Sequence, residues 1–280
     1  MPRGRAMLVR VRDSVAANWV RLVLGIISIV AFIATWAIVS DYLADTDSDK
    51  SEYLPGPGAV AEAFVKSFLE PVPGFDDIRM GDMVASSLIR VFWGFLLALA
   101  VALPLGLTMG YYRAADAMGR PLVEIFRPIP PLAWVPVFMM VFRSFWGPVS
   151  IVFIGAFFPI LLNVVFGVRS VDPRLIDAAR TLGARRGALF MKVVIPTIIP
   201  YLMTGIKVGL GVGWMCVVAA EMMPIQGGIG VGYYVWASAF SYSMYDYTYA
   251  TMLVIGLLGV LTTGVAEVLE KRVSRWMGMR

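Results

Sequence analysis

RSVDPRLIDAARTLGARRGALFMKVVIP, residues 169–196, is the stretch that decides how the chain is read. It holds Arg169, Arg174, Arg180, Arg185, Arg186 and Lys192 against only Asp172 and Asp177, and it is the most polar internal segment. An apolar run flanks it on each side, at about 149–168 and 201–220, each near the roughly 20 residues that cross a bilayer. Its own order is that of two short helices. Asp172 is suited to an N-cap and Pro173 to N1, where a missing N–H costs nothing. Pro173 to Leu182 then reads as one helix. Gly183 stands where a helix ends with positive φ. Ala184 to Ile195 reads as a second helix, stopped by Pro196. The segment is therefore expected to be a helix–Gly–helix hairpin between two membrane spans.

Working outward, the whole chain favours lipid. It is 59% hydrophobic and 15% charged, with mean hydropathy +0.77, against about 45–50% and about 25% in soluble domains. The expected fold is all-α: a polytopic membrane helix bundle of six transmembrane helices. The first span is Leu22–Val39. It is too long for the h-region of a cleaved signal peptide, and no A-x-A-like site follows it. The others lie near 84–109, 122–142, 149–168, 201–220 and 250–268. The third carries Arg127-Pro128-Ile129-Pro130-Pro131, so it must be broken near its start. A glycine-rich outer loop is expected at 221–249. Gly205, Gly209 and Gly213 form a small-xxx-small stripe that lets two membrane helices approach closely. Trp93, Trp134, Trp146, Trp214 and Trp236 are expected as interface anchors.

Charge fixes an orientation. Lys and Arg are in excess in the tail 1–21, the loop 110–120, the hairpin 169–196 and the tail 271–280, which marks these as cytoplasmic. The segment 40–83 is acidic and falls outside, with an amphipathic helix expected over Ala59–Leu69. The organisation is thus a tail at 1–21, a first span at 22–39, an external segment at 40–83, a core at 84–270 and a second tail at 271–280. Both termini are expected in the cytoplasm, and the net charge of +5 is explained by topology, not by nucleic acid.

Several chemistries are excluded. The chain has no histidine and one cysteine, Cys216, so histidine-based catalysis and an internal disulfide are closed. No G-x4-G-K-[ST] phosphate loop occurs, so ATP is not expected to be hydrolysed here. No cofactor or metal site is visible. Charges inside spans remain as candidates. Lys207, about two turns into the fifth span, is placed either to face a central pathway and attract an anion or to snorkel to the interface. Glu221 closes the same span, as part of an outer gate or as an interfacial charge. Arg90 is expected at the interface.

Asp177-Ala178-Ala179, three residues, Gly183, nine residues and Val193-Val194-Ile195-Pro196 resemble the E-A-A-x3-G-x9-I-x-L-P signature of permeases of binding-protein-dependent ABC importers. Asp177 replaces Glu, Val193 replaces Ile and Ile195 replaces Leu. The resemblance continues in Leu54-Pro55-Gly56-Pro57, Ser87-Leu88-Ile89-Arg90-Val91-Phe92-Trp93-Gly94-Phe95, the 127–136 proline segment, Gly205-Ile206-Lys207 and Ala219-Ala220-Glu221. These stretches look like the nitrate/sulfonate/taurine/bicarbonate-type branch, which also includes importers of thiamine precursors or riboflavin.

The resemblance implies a type I importer permease fold and a cell-membrane location. It implies a homodimer of permeases, two ATPase subunits that bind the ATP, and an external solute-binding protein. It also implies that Asp177, Ala178, Ala179, Leu182 and Gly183 dock an ATPase. The alternative class is an ion-coupled secondary transporter, which would need acidic or histidine relay groups at mid-membrane; the chain has no histidine and acids inside its spans are sparse.

Overall fold

The computed structural model describes residues 3–46, 52–223 and 229–276. Asp47, Asp49 and Lys50 of the acidic segment, Gly227 and Gly228 of the outer loop, Arg280, and the side chains of Arg3, Arg5, Arg10 and Arg12 lie outside the described residues. The described chain is helical throughout: α1 (Arg3–Thr46), α2 (Pro57–Leu69), α3 (Met80–Tyr111), α4 (Arg113–Phe126), a 3-10 turn (Pro131–Trp134), α5 (Val135–Arg169), α6 (Pro173–Thr181), α7 (Arg186–Leu189), a π turn (Phe190–Val194), α8 (Ile195–Glu221), α9 (Val231–Phe240) and α10 (Tyr245–Trp276). A helix satisfies its own backbone, which lipid cannot do for it. Among the described residues five helices are long and apolar enough to cross a membrane, and there are six spans if the bent pair Arg113–Phe126 and Pro131–Arg143 counts as one. That pair turns by 80° at the proline segment. A second break falls inside α5 at Arg143 (φ 54°, ψ −155°). The apolar span that follows it is Phe145–Arg169.

α3, α5 and α8 form the core, with α5 in the middle. The glycine stripe of α8 packs as expected. A Cβ on Gly205 would lie 3.1 Å from the Ile160 Cα, and one on Gly209 would lie 3.3 Å from the Ala156 carbonyl. The opposite side of α5 meets a stripe on α3 that runs Gly94, Ala98, Ala102, Gly106, Gly110, each four residues on and so on one helix face. A Cβ on Gly94 would come within 2.6 Å of the Val149 carbonyl, and one on Gly106 within 2.8 Å of Val164. In lipid, apolar contact alone does not drive helices together, and small residues give the backbone proximity that does. Cys216 is a packing residue in this core, 1% exposed and set against Gly155.

α1 stands at the rim, its apolar side chains exposed as a lipid-facing surface would be. Trp36 Nε1 donates to the Pro55 carbonyl (3.1 Å) and Ser40 Oγ to the Leu54 carbonyl (2.9 Å), which tie α1 to the start of α2. α2 buries Val60, Ala63 and Ser67 and shows Glu62 and Lys66 to the outside, paired at 2.7 Å.

The helices depart from the sequence reading in several places. Pro196 does not stop a helix. A single helical path runs from Gly187 to Glu221, because the turn before the proline widens: Ile195 N–H reaches the Phe190 carbonyl, five residues back. The wide turn removes the need for a donor at 196 and relieves the clash of its ring with the preceding turn. The outer loop is not glycine-rich coil alone, since α9 lies within it. Tyr234 of α9 is fully buried and shares a cluster with Val72, Met80, Met83 and Val254. The last span accordingly begins at Tyr245. Trp214 is no interface anchor: it is 4% exposed, and its Nε1 donates to Thr262 Oγ1 at 2.8 Å.

Candidate functional site

The hairpin is built as its sequence suggests. Asp172 Oδ1 accepts from Arg174 N at 2.9 Å and caps α6. At the other end, Gly183 N–H donates to the Arg180 carbonyl (2.9 Å) and Ala184 N–H to the Ala179 carbonyl (3.0 Å). Gly183 has φ +79°. These two bonds with a left-handed glycine form a Schellman closure. The base of the hairpin is apolar and anchored: Ile176 packs against a cluster of Val168, Val171, Val194 and Ile198, from the ends of α5 and α8 and the turns beside them. The tip is free. Leu182 is 88% exposed and Leu175 53%, and Asp177, Ala178 and Gly183 are exposed, while Ala179 is half-buried. Leu175, Ala178 and Leu182 lie three, four and seven residues apart, so they make one apolar stripe on the outer face of α6. Asp177 leans toward Arg180 (3.7 Å) in a solvent-exposed pair worth little by itself.

Within the spans the acidic candidate Glu221 and the basic candidate Lys207 are each engaged in an ion pair. Lys207 Nζ is 2.7 Å from Glu270 Oε2 of α10, each side chain 28% exposed. Glu221 is buried, with its carboxylate 2.6 Å from Arg90 Nη1 and side-chain exposures of 0% and 4%. Arg90 is therefore a buried partner and not an interface residue. Ser87 Oγ donates to the same carboxylate, 2.8 and 2.9 Å from its two oxygens, and accepts from Val231 N at 3.1 Å. Gly232 N donates to Glu221 Oε2 at 3.0 Å. One carboxylate thus binds α3, α8 and the start of α9. Burying an ion pair repays its desolvation only when further hydrogen bonds support it; here Ser87 and Gly232 support the carboxylate, while Arg90 Nε is left without a partner among the described residues.

Sequence reasoning missed Ser87 and Glu270 and misplaced Arg90. A signal was present: an opposite charge in each of two apolar spans invites pairing. The glycines beyond Glu221 were a second signal. A side chain at Gly230 would collide with the Glu221 carboxylate, and one at Gly232 with the Val218 carbonyl. Close approach, not backbone freedom, requires glycine at Gly230, whose φ of −156° is extended.

Residues 102–275 match the family described as binding-protein-dependent transport system inner membrane component. A protein of Methanocaldococcus jannaschii that carries the name of an ABC transporter permease is 40% identical over 95% of this chain and 96% of its own. The nitrate import permease protein of Leptolyngbya laminosa is 33% identical over 68% of this chain and 67% of its own. The bicarbonate transport system permease protein of Synechococcus elongatus is 30% identical over 91% of each. Among solved structures, a chain of the MetNI methionine ABC transporter in an inward facing conformation superposes with a TM-score of 0.56 at 20% identity, covering 69% of this chain and 94% of that one. The match shows the same fold. With a family match over more than half its length and relatives similar across nearly all of it, this chain belongs to the inner membrane components of binding-protein-dependent transport systems.

Proposed function

We propose that the chain is the permease of an ATP-driven importer for a small oxyanion or sulfonate, delivered by an external binding protein. ATP is bound and hydrolysed on separate ATPase subunits, and two copies of the permease pair so that each offers one hairpin to one ATPase. The observation that carries this reading is the hairpin: an anchored base and an exposed apolar tip, closed by a left-handed glycine. In this reading Leu182, Ala178 and Ala179 enter a groove of the ATPase, Asp177 meets a basic group, and Gly183 holds the tip in register. Because Ile176 and its neighbours tie the base to α5 and α8, a displacement of the tip is passed to two packed spans and not lost in a loose loop. The nitrate and bicarbonate relatives support the oxyanion class. The excess of Lys and Arg in the hairpin and both tails supports cytoplasmic termini.

Lys207 and Glu221 do not line the clefts beside the broken span. In this reading Glu221 holds α9 at the outer mouth. The test is uptake into proteoliposomes carrying this permease with its ATPase and binding protein. Uptake of labelled nitrate, bicarbonate or a sulfonate that requires ATP and the binding protein is expected. ATP-independent uptake driven by an ion gradient would overturn the reading.

A further inference from the structure

Two clefts open beside the proline break, and they share three lining residues: Arg127, Leu162 and Asn163. One, of about 410 Å³, is walled by the break, by Pro159 of α5 and by Val208 and Val212 of α8. The other, of about 430 Å³, reaches Asp116 and Arg169 at the hairpin end of α5. At a rise of about 1.5 Å per residue, Asn163 lies about 9 Å and Gly155 about 21 Å along α5 from Arg169. The upper cleft therefore sits at mid-depth in the span, and the lower one continues from it to the end.

Charge is distributed unevenly along this route. Arg169 is held by Asp116, and Arg120 is held by Glu124 at 3.5 Å. Among the described residues Arg127 makes no ion pair with an acid, and it is exposed. Asn163 spends one amide hydrogen on the Pro159 carbonyl (2.8 Å) and retains a second. The backbone beside Arg127 is also short of partners. Pro128 and Pro131 have no N–H, so the carbonyls of Glu124 and Arg127 lose their helical donors. Non-helical backbone at membrane depth persists only inside protein or along a water-filled cavity, and an unpaired charge there marks a solute path.

We propose that Arg127, assisted by Asn163, is the anion-selecting residue of the translocation pathway, where the solute pauses between the binding protein and the cytoplasm. This rests on the oxyanion reading above. The guanidinium offers a planar pair of N–H donors that matches two oxygens of a nitrate, bicarbonate or sulfonate group. A lone charge-assisted pair also releases its guest readily, as a pathway requires and a high-affinity receptor does not.

The test uses the reconstituted importer with labelled nitrate, bicarbonate and taurine as probes. Arg127→Gln is expected to lower uptake about tenfold or more, the scale of one charge-assisted hydrogen bond. ATP hydrolysis stimulated by the binding protein should persist, which separates this loss from failed assembly. Arg127→Lys should restore part of the uptake, and Asn163→Leu should show a smaller loss. In a Cys216→Ala background, the thiol introduced by Arg127→Cys should react with a water-soluble thiol reagent. Wild-type uptake of a probe with equal uptake by Arg127→Gln would overturn the role of Arg127 alone, as would a thiol unreactive throughout the ATPase cycle. Wild-type complex that hydrolyses ATP yet carries none of the three probes would overturn the oxyanion reading itself, and the role of Arg127 with it.

Discussion

Arg90 and Glu221 lie 131 residues apart in sequence and 2.6 Å apart in space, in an environment that leaves neither side chain more than 4% exposed. Their pair is the point at which α3, α8 and α9 are joined. Removing one partner leaves a buried, uncompensated charge, which typically costs about 3–5 kcal/mol. Glu221→Ala and Arg90→Ala should each lower the thermal unfolding midpoint of the detergent-solubilised protein sharply. The double replacement Arg90→Met with Glu221→Met should recover much of that loss, since apolar side chains of similar volume often match a buried pair. Additive losses in the double variant would show that the two residues do not stabilise one another.

The stripe on α3 makes a second prediction. Gly94 and Gly106 face α5 with no space for a side chain, whereas a Cβ on Gly256 or Gly259 of α10 would meet nothing within 4 Å. Gly94→Val should destabilise by about 1–3 kcal/mol or more through overpacking against Val149 and Val152. Gly256→Val should be near neutral. Thermal unfolding of the two variants, compared in one detergent, checks this. Equal stability would mean that α3 and α5 do not pack through this face.

How far the sequence is legible follows from what kind of interaction each feature uses. The spans are legible because apolarity over about 20 residues needs no partner to be recognised. The ends of α6 are legible because caps are local: Asp172 and Gly183 act within a few residues of themselves. The break at 127–131 is legible because proline removes donors wherever it stands. The widened turn before Pro196 is not, because the backbone absorbed the proline by a change that no side chain announces. The Arg90–Glu221 pair is not, because nothing in a local pattern says which of several charges will meet. The Gly94-to-Gly110 stripe has the same spacing as the Gly205 stripe, but the two alanines within it, Ala98 and Ala102, disguise it. Lys207 stands out as a charge inside a span, yet Glu270 engages it; Arg127 is hidden among prolines that read only as a break.

Orientation can be tested apart from the fold. The excess of Lys and Arg in 169–196, against their scarcity in 40–83, predicts that these segments lie on opposite sides of the membrane. Reporter fusions after Leu69 should report as external and fusions after Gly183 as cytoplasmic. The reverse pattern would invert the pathway and put the hairpin out of reach of any cytoplasmic ATPase.

The hairpin gives the last prediction, in two parts that separate shape from contact. Gly183 holds φ +79° with open space around it, so only the backbone resists a side chain there, at about 1–2 kcal/mol for a left-handed L residue. Gly183→Val should therefore leave membrane insertion and the unfolding midpoint of the spans almost unchanged while loosening the tip, and uptake should fall although the ATPase still associates. Ala178 acts differently. It lies exposed between Leu175 and Leu182 on the stripe, so Ala178→Trp adds bulk on the outer face where a partner would sit. Recovery of ATPase by tagged Ala178→Trp permease in detergent should drop well below that of the wild type. Asp177→Ala should reduce it less, because the exposed Asp177–Arg180 pair contributes little to α6 itself. Equal recovery from wild type and Ala178→Trp would show that α6 is not the docking element, and the importer reading would then lack its main support.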